Sequence, residues 1–303
     1  MRVLVTGASG LLGANLALEA AKDHTVYGLV NTLDLHTEAF QVLKGDLAEP
    51  GEIERLLDIT QPEWVIHCAA LANVDACETD QARAVQLNTE VPRKLAINVA
   101  RGGARLLHVS TDAVFDGIRG NYVESDPPNP LSVYARTKLD GERAVAEANP
   151  DAMIARVNLF GWSPSGRRSL AEWFFNNLST GKPVMGFTDV YFCPLLANDL
   201  GKIFLDMLQN QLRGLYHVVA RDCQSKYEFG VQLARLFNLD AGLIQPASVM
   251  ASGLAAARSP NLTLNTAKLT RALGYPPPDI QQGLQSFYQL HQQNYPHRLR
   301  EML

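Results

Sequence analysis

Short apolar runs alternate with amphipathic stretches through the first half of the chain. Residues 2–6 form a β-rich run that stops at Gly7, and the leucines and alanines that follow repeat at helical spacing. Further strand-like runs occupy 25–30, 40–43, 64–68, 105–110 and 153–157, with helical patterns over 52–59, 82–101 and 133–149 between them. This alternation predicts an α/β fold, a Rossmann doubly wound parallel sheet that binds ligands at the C-terminal ends of its strands. Past residue 160 the rhythm loosens into helices near 170–178, 198–208, 227–237, 266–273 and 280–295, punctuated by Gly and Pro. The expected organisation is a dinucleotide-binding domain over 1–160 and, over 161–303, mainly a smaller C-terminal substrate-binding lobe with room for the chain to cross back.

Composition narrows the function. With 47% hydrophobic and 19% charged residues the chain has enough apolar material for a globular core. Its 27 basic and 31 acidic residues give −4 with no long basic run, which argues against nucleic acid as a partner. No apolar stretch approaches the ~18 residues of a membrane span. Cys68, Cys77, Cys193 and Cys223 lack Cys-x-x-Cys spacing, and the chain starts directly on a strand, so reduced thiols and a cytoplasmic protein are expected. His67 and Cys68 end an apolar run with no further ligand spaced nearby, which favours core packing and no metal.

Two patterns carry chemistry. Gly7, Gly10 and Gly13 lie between the first strand and the first helix, where glycines let backbone N–H groups approach a pyrophosphate. The second strand ends at Val30-Asn31-Thr32 without the carboxylate that holds an NAD ribose and repels a 2′-phosphate, so NADP(H) is favoured over NAD(H). Asp46, after the third strand, is placed to accept a hydrogen bond from an adenine amino group. The second pattern is Tyr134 and Lys138, four residues apart and therefore on one helical face. A phenol titrates near ~10, and an adjacent ammonium favours its ionised form, bringing it closer to a working acid or base.

With Thr6-Gly7-Ala8-Ser9-Gly10-Leu11-Leu12-Gly13, Gly45-Asp46-Leu47, His67-Cys68-Ala69-Ala70, Ser110-Thr111-Asp112-Ala113-Val114-Phe115-Asp116-Gly117 and the Tyr134–Lys138 motif, the chain resembles an extended short-chain dehydrogenase/reductase. Within that superfamily it resembles the dTDP-4-dehydrorhamnose reductase group over nearly its whole length. The resemblance implies that Tyr134 donates a proton, that Lys138 binds the nicotinamide ribose and tunes the phenol, that Thr111 hydrogen-bonds the reacting oxygen, and that Asn88 supports a proton relay. It implies a cofactor site built from Gly7, Ser9, Gly10, Leu11, Leu12 and Gly13, then Asn31, Asp46 and Leu47. Ala69, Ala70, Leu71, Ser110 and Asn158 complete that site beside Tyr134 and Lys138. Thr111, Asp112 and Arg258 are implied substrate contacts, with Arg167 and Arg168 as further candidates for a diphosphate. Ala113 and Leu159 stand where the group usually has Tyr and Trp, leaving space expected beside the sugar.

The implied activity is reduction of a keto group on a nucleotide-linked sugar, and the superfamily implies a homodimer through the helices near Asn88 and Tyr134. A nucleotide-sugar epimerase or dehydratase is a second reading. A third is a non-catalytic, cofactor-binding regulatory subunit, because Lys226-Tyr227-Glu228 and Phe237-Asn238-Leu239 resemble the methionine adenosyltransferase beta subunit.

Overall fold

A computed structural model describes residues 1–249 and 259–303. Seven strands form one parallel sheet: β1 (Arg2–Thr6), β2 (Thr25–Val30), β3 (Gln41–Lys44), β4 (Trp64–His67), β5 (Arg105–Thr111), β6 (Met153–Val157) and β7 (Gly214–Val218). Their spatial order is β7-β6-β5-β4-β1-β2-β3, so the chain reverses direction across the sheet between β1 and β4. That reversal leaves a crevice at the C-terminal ends of the strands, where an open α/β sheet takes its ligand. Strands such as β4 and β6 are buried along their whole length. Near-continuous apolar runs are what a parallel sheet covered on both faces requires.

Two apolar layers cover the sheet. One face carries α1 (Leu11–Ala20) and the other carries α2 (Glu52–Thr60), α3 (Val91–Arg101) and α4 (Val133–Ala148). Past residue 160 the chain comes back to this sheet: β7 pairs with β6 from Gly214↔Met153 to Val218↔Val157, and α5 (Ala197–Gln209) packs along α1. The strand β7 is absent from the sequence reading because Gly-Leu-Tyr-His-Val carries too short an apolar run to stand out among helices. Phe160 and Trp162 pack into an aromatic nest with Phe229 and Phe287. Trp162 stacks on Phe287 at 4.0 Å and donates its Nε1–H to the Phe287 carbonyl at 3.0 Å.

Three expectations need correction. The helix expected over 82–101 is broken into Gln81–Val85, a π-helical turn at Gln86–Glu90 and α3, with Pro92 in the first turn of α3. The helix expected over 280–295 stops at Gln292, and Asn294 adopts φ 58° before Tyr295–Arg300 begins. The four cysteines are not all thiols: Cys193 and Cys223 form a disulfide, with Cα atoms 4.2 Å apart. Antiparallel pairing of Phe192 with Gln224 sets these two cysteines side by side. Their 30-residue separation hides that proximity from any spacing rule.

Among the described residues no helix is long and apolar enough to cross a membrane.

Candidate active site

The crevice is a cavity of about 570 Å³, and the glycine turn forms one wall. Gly7 sits at φ +71°, a conformation costly for any side chain, and its carbonyl accepts from Gly10 N–H at 2.9 Å. Gly10 caps α1 without a side-chain bond, so the first N–H groups of the helix, from Leu11 onward, have no internal acceptor and face an anion-sized space. A Cβ on Gly13 would overlap the Gly7 carbonyl, and a Cβ on Gly7 would press on Ala69 N at 2.9 Å. The turn and the β4 end therefore approach each other as backbone alone, a cradle that suits a dinucleotide pyrophosphate. Gly13→Ala is expected to weaken NADPH binding at least tenfold by pushing this turn open; a fluorescence titration giving wild-type affinity would count against the cradle.

At the other end of the cavity Asn31, Thr32, Gly45, Asp46 and Leu47 form the wall. Burial alone would raise the Asp46 pKa, but hydrogen bonds from Ala48 N–H, the Asn31 side chain and Arg83 hold it below the usual carboxylate value. The nearest acid past β2, Asp34, is engaged with Lys44 at 2.6 Å.

Tyr134 and Lys138 enter from α4, whose N-terminus is fixed by Ser132 accepting from Ala135 N–H at 3.2 Å. Lys138 is buried and donates from Nζ to the Val109 carbonyl at 2.6 Å. Burial pushes its pKa down to about 8 against the upward pull of Glu142. Tyr134 differs from the expectation of an ammonium-softened phenol. Burial pushes it up to about 12, a hydrogen bond from Thr111 opposes that, and Asp112 adds to it. The Lys138 ammonium is committed to a carbonyl of β5. The phenol therefore stays protonated through the neutral range.

Thr111 ends β5 with Asp112 directly after it, and Asn158 follows β6. Parallel pairing of Thr111 with Val157 brings the three together. Asp112 accepts from Asn158 Nδ2 at 2.5 Å and from Thr111 Oγ1 at 3.1 Å. Gly7, Ser9, Gly10, Leu11, Leu12, Gly13, Asn31, Asp46, Leu47, Ala69, Ala70, Ser110, Thr111, Asp112, Tyr134, Lys138, Asn158 and Leu159 all line the one cavity. Asn88 and Leu71 lie behind its wall, where the Asn88 amide accepts from Leu71 N–H at 2.9 Å and donates to Thr137 Oγ1 at 3.1 Å. Ser110 spends its hydroxyl on Glu142 at 2.5 Å. Arg258 lies outside the described residues.

Several contributors escaped the sequence reading. Glu142, one turn beyond Lys138, forms a buried two-pronged pair with Arg156, Nη2 to Oε2 at 2.7 Å and Nε to Oε1 at 2.9 Å. A lone arginine inside the apolar run 153–157 was the available signal, since such a charge needs a buried partner. Lys226 acts electrostatically on Asp112 from the start of α6 (Lys226–Leu236), whereas Arg168, already a candidate from the sequence, lines the cavity from the loop before Leu170. Behind Lys138 lie His67 and His108, stacked at 5.4 Å. His67 Nδ1 is 2.8 Å from Thr6 Oγ1, and burial, with Lys138 adding to it, drives the His67 pKa down to about 3, so the ring is neutral. Among the described residues no group of three or more His, Cys, Asp or Glu side chains is placed to hold a metal.

Residues 1–293 match the family described as the RmlD substrate binding domain. The chain is 32% identical over 291 residues to a probable low-salt glycan biosynthesis reductase, Agl14, of Haloferax volcanii, covering 94% of this chain and 96% of that one. It is 33% identical over 276 residues to methionine adenosyltransferase 2 subunit beta of Danio rerio, covering 88% and 84%. Its fold superposes with a TM-score of 0.81 on a dTDP-4-dehydrorhamnose reductase from Bacillus anthracis solved in complex with NADP, at 25% identity and 95% and 98% coverage.

Proposed function

Because the chain belongs to the RmlD substrate binding domain family, we propose that it is an NAD(P)-dependent reductase of a keto group on a nucleotide-linked sugar, similar to dTDP-4-dehydrorhamnose reductase. The observation that carries this reading is the meeting of Thr111, Tyr134 and Lys138 with the glycine turn in a single cavity. A bound reduced nicotinamide supplies the hydride. The protein's part is to place donors where negative charge develops on the carbonyl oxygen. Tyr134 holds the proton that the resulting alkoxide takes up. With its pKa near 12 the phenol keeps that proton at neutral pH, yet it remains a stronger acid than an alcohol, so the transfer runs downhill. Thr111 steadies the same oxygen, and Lys138, a cation at neutral pH, holds the cofactor ribose.

NADP(H) is the favoured cofactor, supported by the carboxylate-free end of β2 and by the NADP bound to the Bacillus anthracis relative. Arg168 and Arg258 are the proposed diphosphate contacts on the substrate side. The same reading makes the protein cytoplasmic and a homodimer through the helices that carry Asn88 and Tyr134. A second reading, a regulatory subunit that binds cofactor without turnover, is favoured by the zebrafish methionine adenosyltransferase subunit among its relatives.

A panel of nucleoside-diphosphate 4-keto-sugars offered with NADPH and with NADH separates the readings. Loss of reduced-nicotinamide absorbance is expected with at least one sugar, faster for NADPH. Persistent NADPH with every sugar, together with copurification of a larger catalytic partner, would favour the regulatory subunit instead.

A further inference from the structure

Glu172 is a fully buried carboxylate in the first turn of the helix Leu170–Leu178, and four donors from three residues converge on it. Ser163 N–H donates to Oε1 at 2.6 Å, while Arg168 N–H and Ser169 N–H donate to Oε2 at 2.7 and 3.1 Å. The Ser163 hydroxyl lies 3.0 and 2.9 Å from the two oxygens. Capping the helix asks only for the bond from Ser169. The same capping box recurs at Ser225, where the Glu228 carboxylate is exposed and takes the Ser225 N–H and hydroxyl. Glu172 reaches further, back across nine residues to Ser163, and so ties down the loop 163–169 from inside. Two more bonds shape that loop: Gly166 N–H donates to the Ser163 carbonyl at 3.0 Å, and Asn176 Nδ2 donates to the Gly166 carbonyl at 2.8 Å. Burial raises the Glu172 pKa, while the bonds from Ser163, Arg168 and Ser169 favour the ionised form. An ionised carboxylate accepts at both oxygens, whereas an amide turns one end into a donor. Glutamine at this position would set an N–H against a backbone N–H whichever way it turned.

The loop carries Arg168 into the cavity and leaves its neighbour Arg167 off the cavity wall. Among the described residues the basic side chains lining the cavity are Lys138 and Arg168, and Lys138 is committed to the Val109 carbonyl. The backbone thus sorts two adjacent arginines, and it is held at the Arg168 N–H itself. We propose that Glu172 is a positioning residue that sets Arg168 on the diphosphate of the nucleotide-linked sugar. This role presupposes the reductase reading above. A guanidinium holds a phosphate through two parallel N–H···O bonds, so its grip depends on orientation as well as charge. A loop released from Glu172 keeps the charge and loses the aim, and binding must then order the loop at a cost in affinity.

The test is a double-mutant cycle on nucleotide binding, with dTDP and UDP titrated calorimetrically into the NADPH-loaded protein. The wild type is expected to bind at least one of them. Glu172→Gln and Arg168→Ala should each weaken that nucleotide about tenfold or more, and the double variant should be no worse than Arg168→Ala, because Glu172 acts through the arginine. NADPH affinity, followed by fluorescence, should be unchanged in all three. Wild-type nucleotide affinity in Glu172→Gln, or losses that add in the double variant, overturn the proposal and leave the reductase reading standing. A parallel fall in NADPH affinity also overturns it, by placing Arg168 on the cofactor diphosphate. A wild type that binds neither nucleotide overturns the proposal, and if it also reduces no keto-sugar the reductase reading falls with it. If Glu172→Gln does not fold, Ser163→Ala takes its place in the cycle, since it leaves the helix cap intact. It should weaken the nucleotide about threefold with Arg168 present and not at all without it. No loss with Arg168 present, or a loss that persists without it, overturns the proposal.

Discussion

Tyr134→Phe is expected to lower keto-sugar reduction by about a hundred- to ten-thousand-fold, the range that general acid catalysis contributes. NADPH affinity should barely change, because the ring stays and only the phenolic proton is lost. The size of the loss follows from the lack of a ready substitute at the reacting oxygen. Lys138 points its ammonium at the Val109 carbonyl, and the Cys68 thiol is pushed up to about 12 by burial, so neither is poised to take over. Lys138→Met should behave differently and weaken both turnover and cofactor binding, since it removes a buried cation from the ribose end of the site. The decisive measurement is single-turnover reduction with a titration of NADPH. Near-normal turnover by Tyr134→Phe would sink the assignment of the proton donor.

The second large effect concerns stability. Glu142 and Arg156 are 6% and 3% exposed, bonded at two points, and Ser110 donates to the same carboxylate. Arg156 also lies over the Phe115 ring at 4.9 Å. Removing one partner leaves the other charge buried without compensation, which typically costs about 3–5 kcal/mol. For a chain of this length Glu142→Ala should lower the thermal midpoint by on the order of 10 °C. Replacing both residues with methionine should recover much of that loss, because a well-packed apolar pair avoids the desolvation cost of two charges. Calorimetry on the single and double variants distinguishes the cases. A Glu142→Ala midpoint equal to wild type would mean that water or a neighbouring group reaches Arg156.

Local pattern was enough for the elements that build the first half of the sheet. Gly7, Gly10 and Gly13 announce a turn because backbone conformation and close approach are properties of a few adjacent residues. Tyr134 and Lys138 share a face because a helix repeats every ~3.6 residues, whatever surrounds it. The parallel sheet likewise follows from strands that alternate with helices, and the missing carboxylate after Val30 can be read directly from the chain. Those features determined the fold class and which groups, the glycine turn and the Tyr134–Lys138 pair among them, meet in the crevice.

The rest depended on which distant segments meet. The return of residues 214–218 to the sheet, the π turn that turns Asn88 away toward Leu71 and Thr137, and the Cys193–Cys223 link are consequences of pairing across tens of residues. The protonation states belong to the same class. A phenol held near 12, an ammonium brought down to about 8 and the Asp112 carboxylate raised to about 6 arise from burial, and burial is decided by the packed whole. Sequence determined which groups could do the chemistry, since residue type and short spacing are local. Tertiary structure decided their charge and partners, since desolvation and hydrogen bonding depend on every element that closes around them.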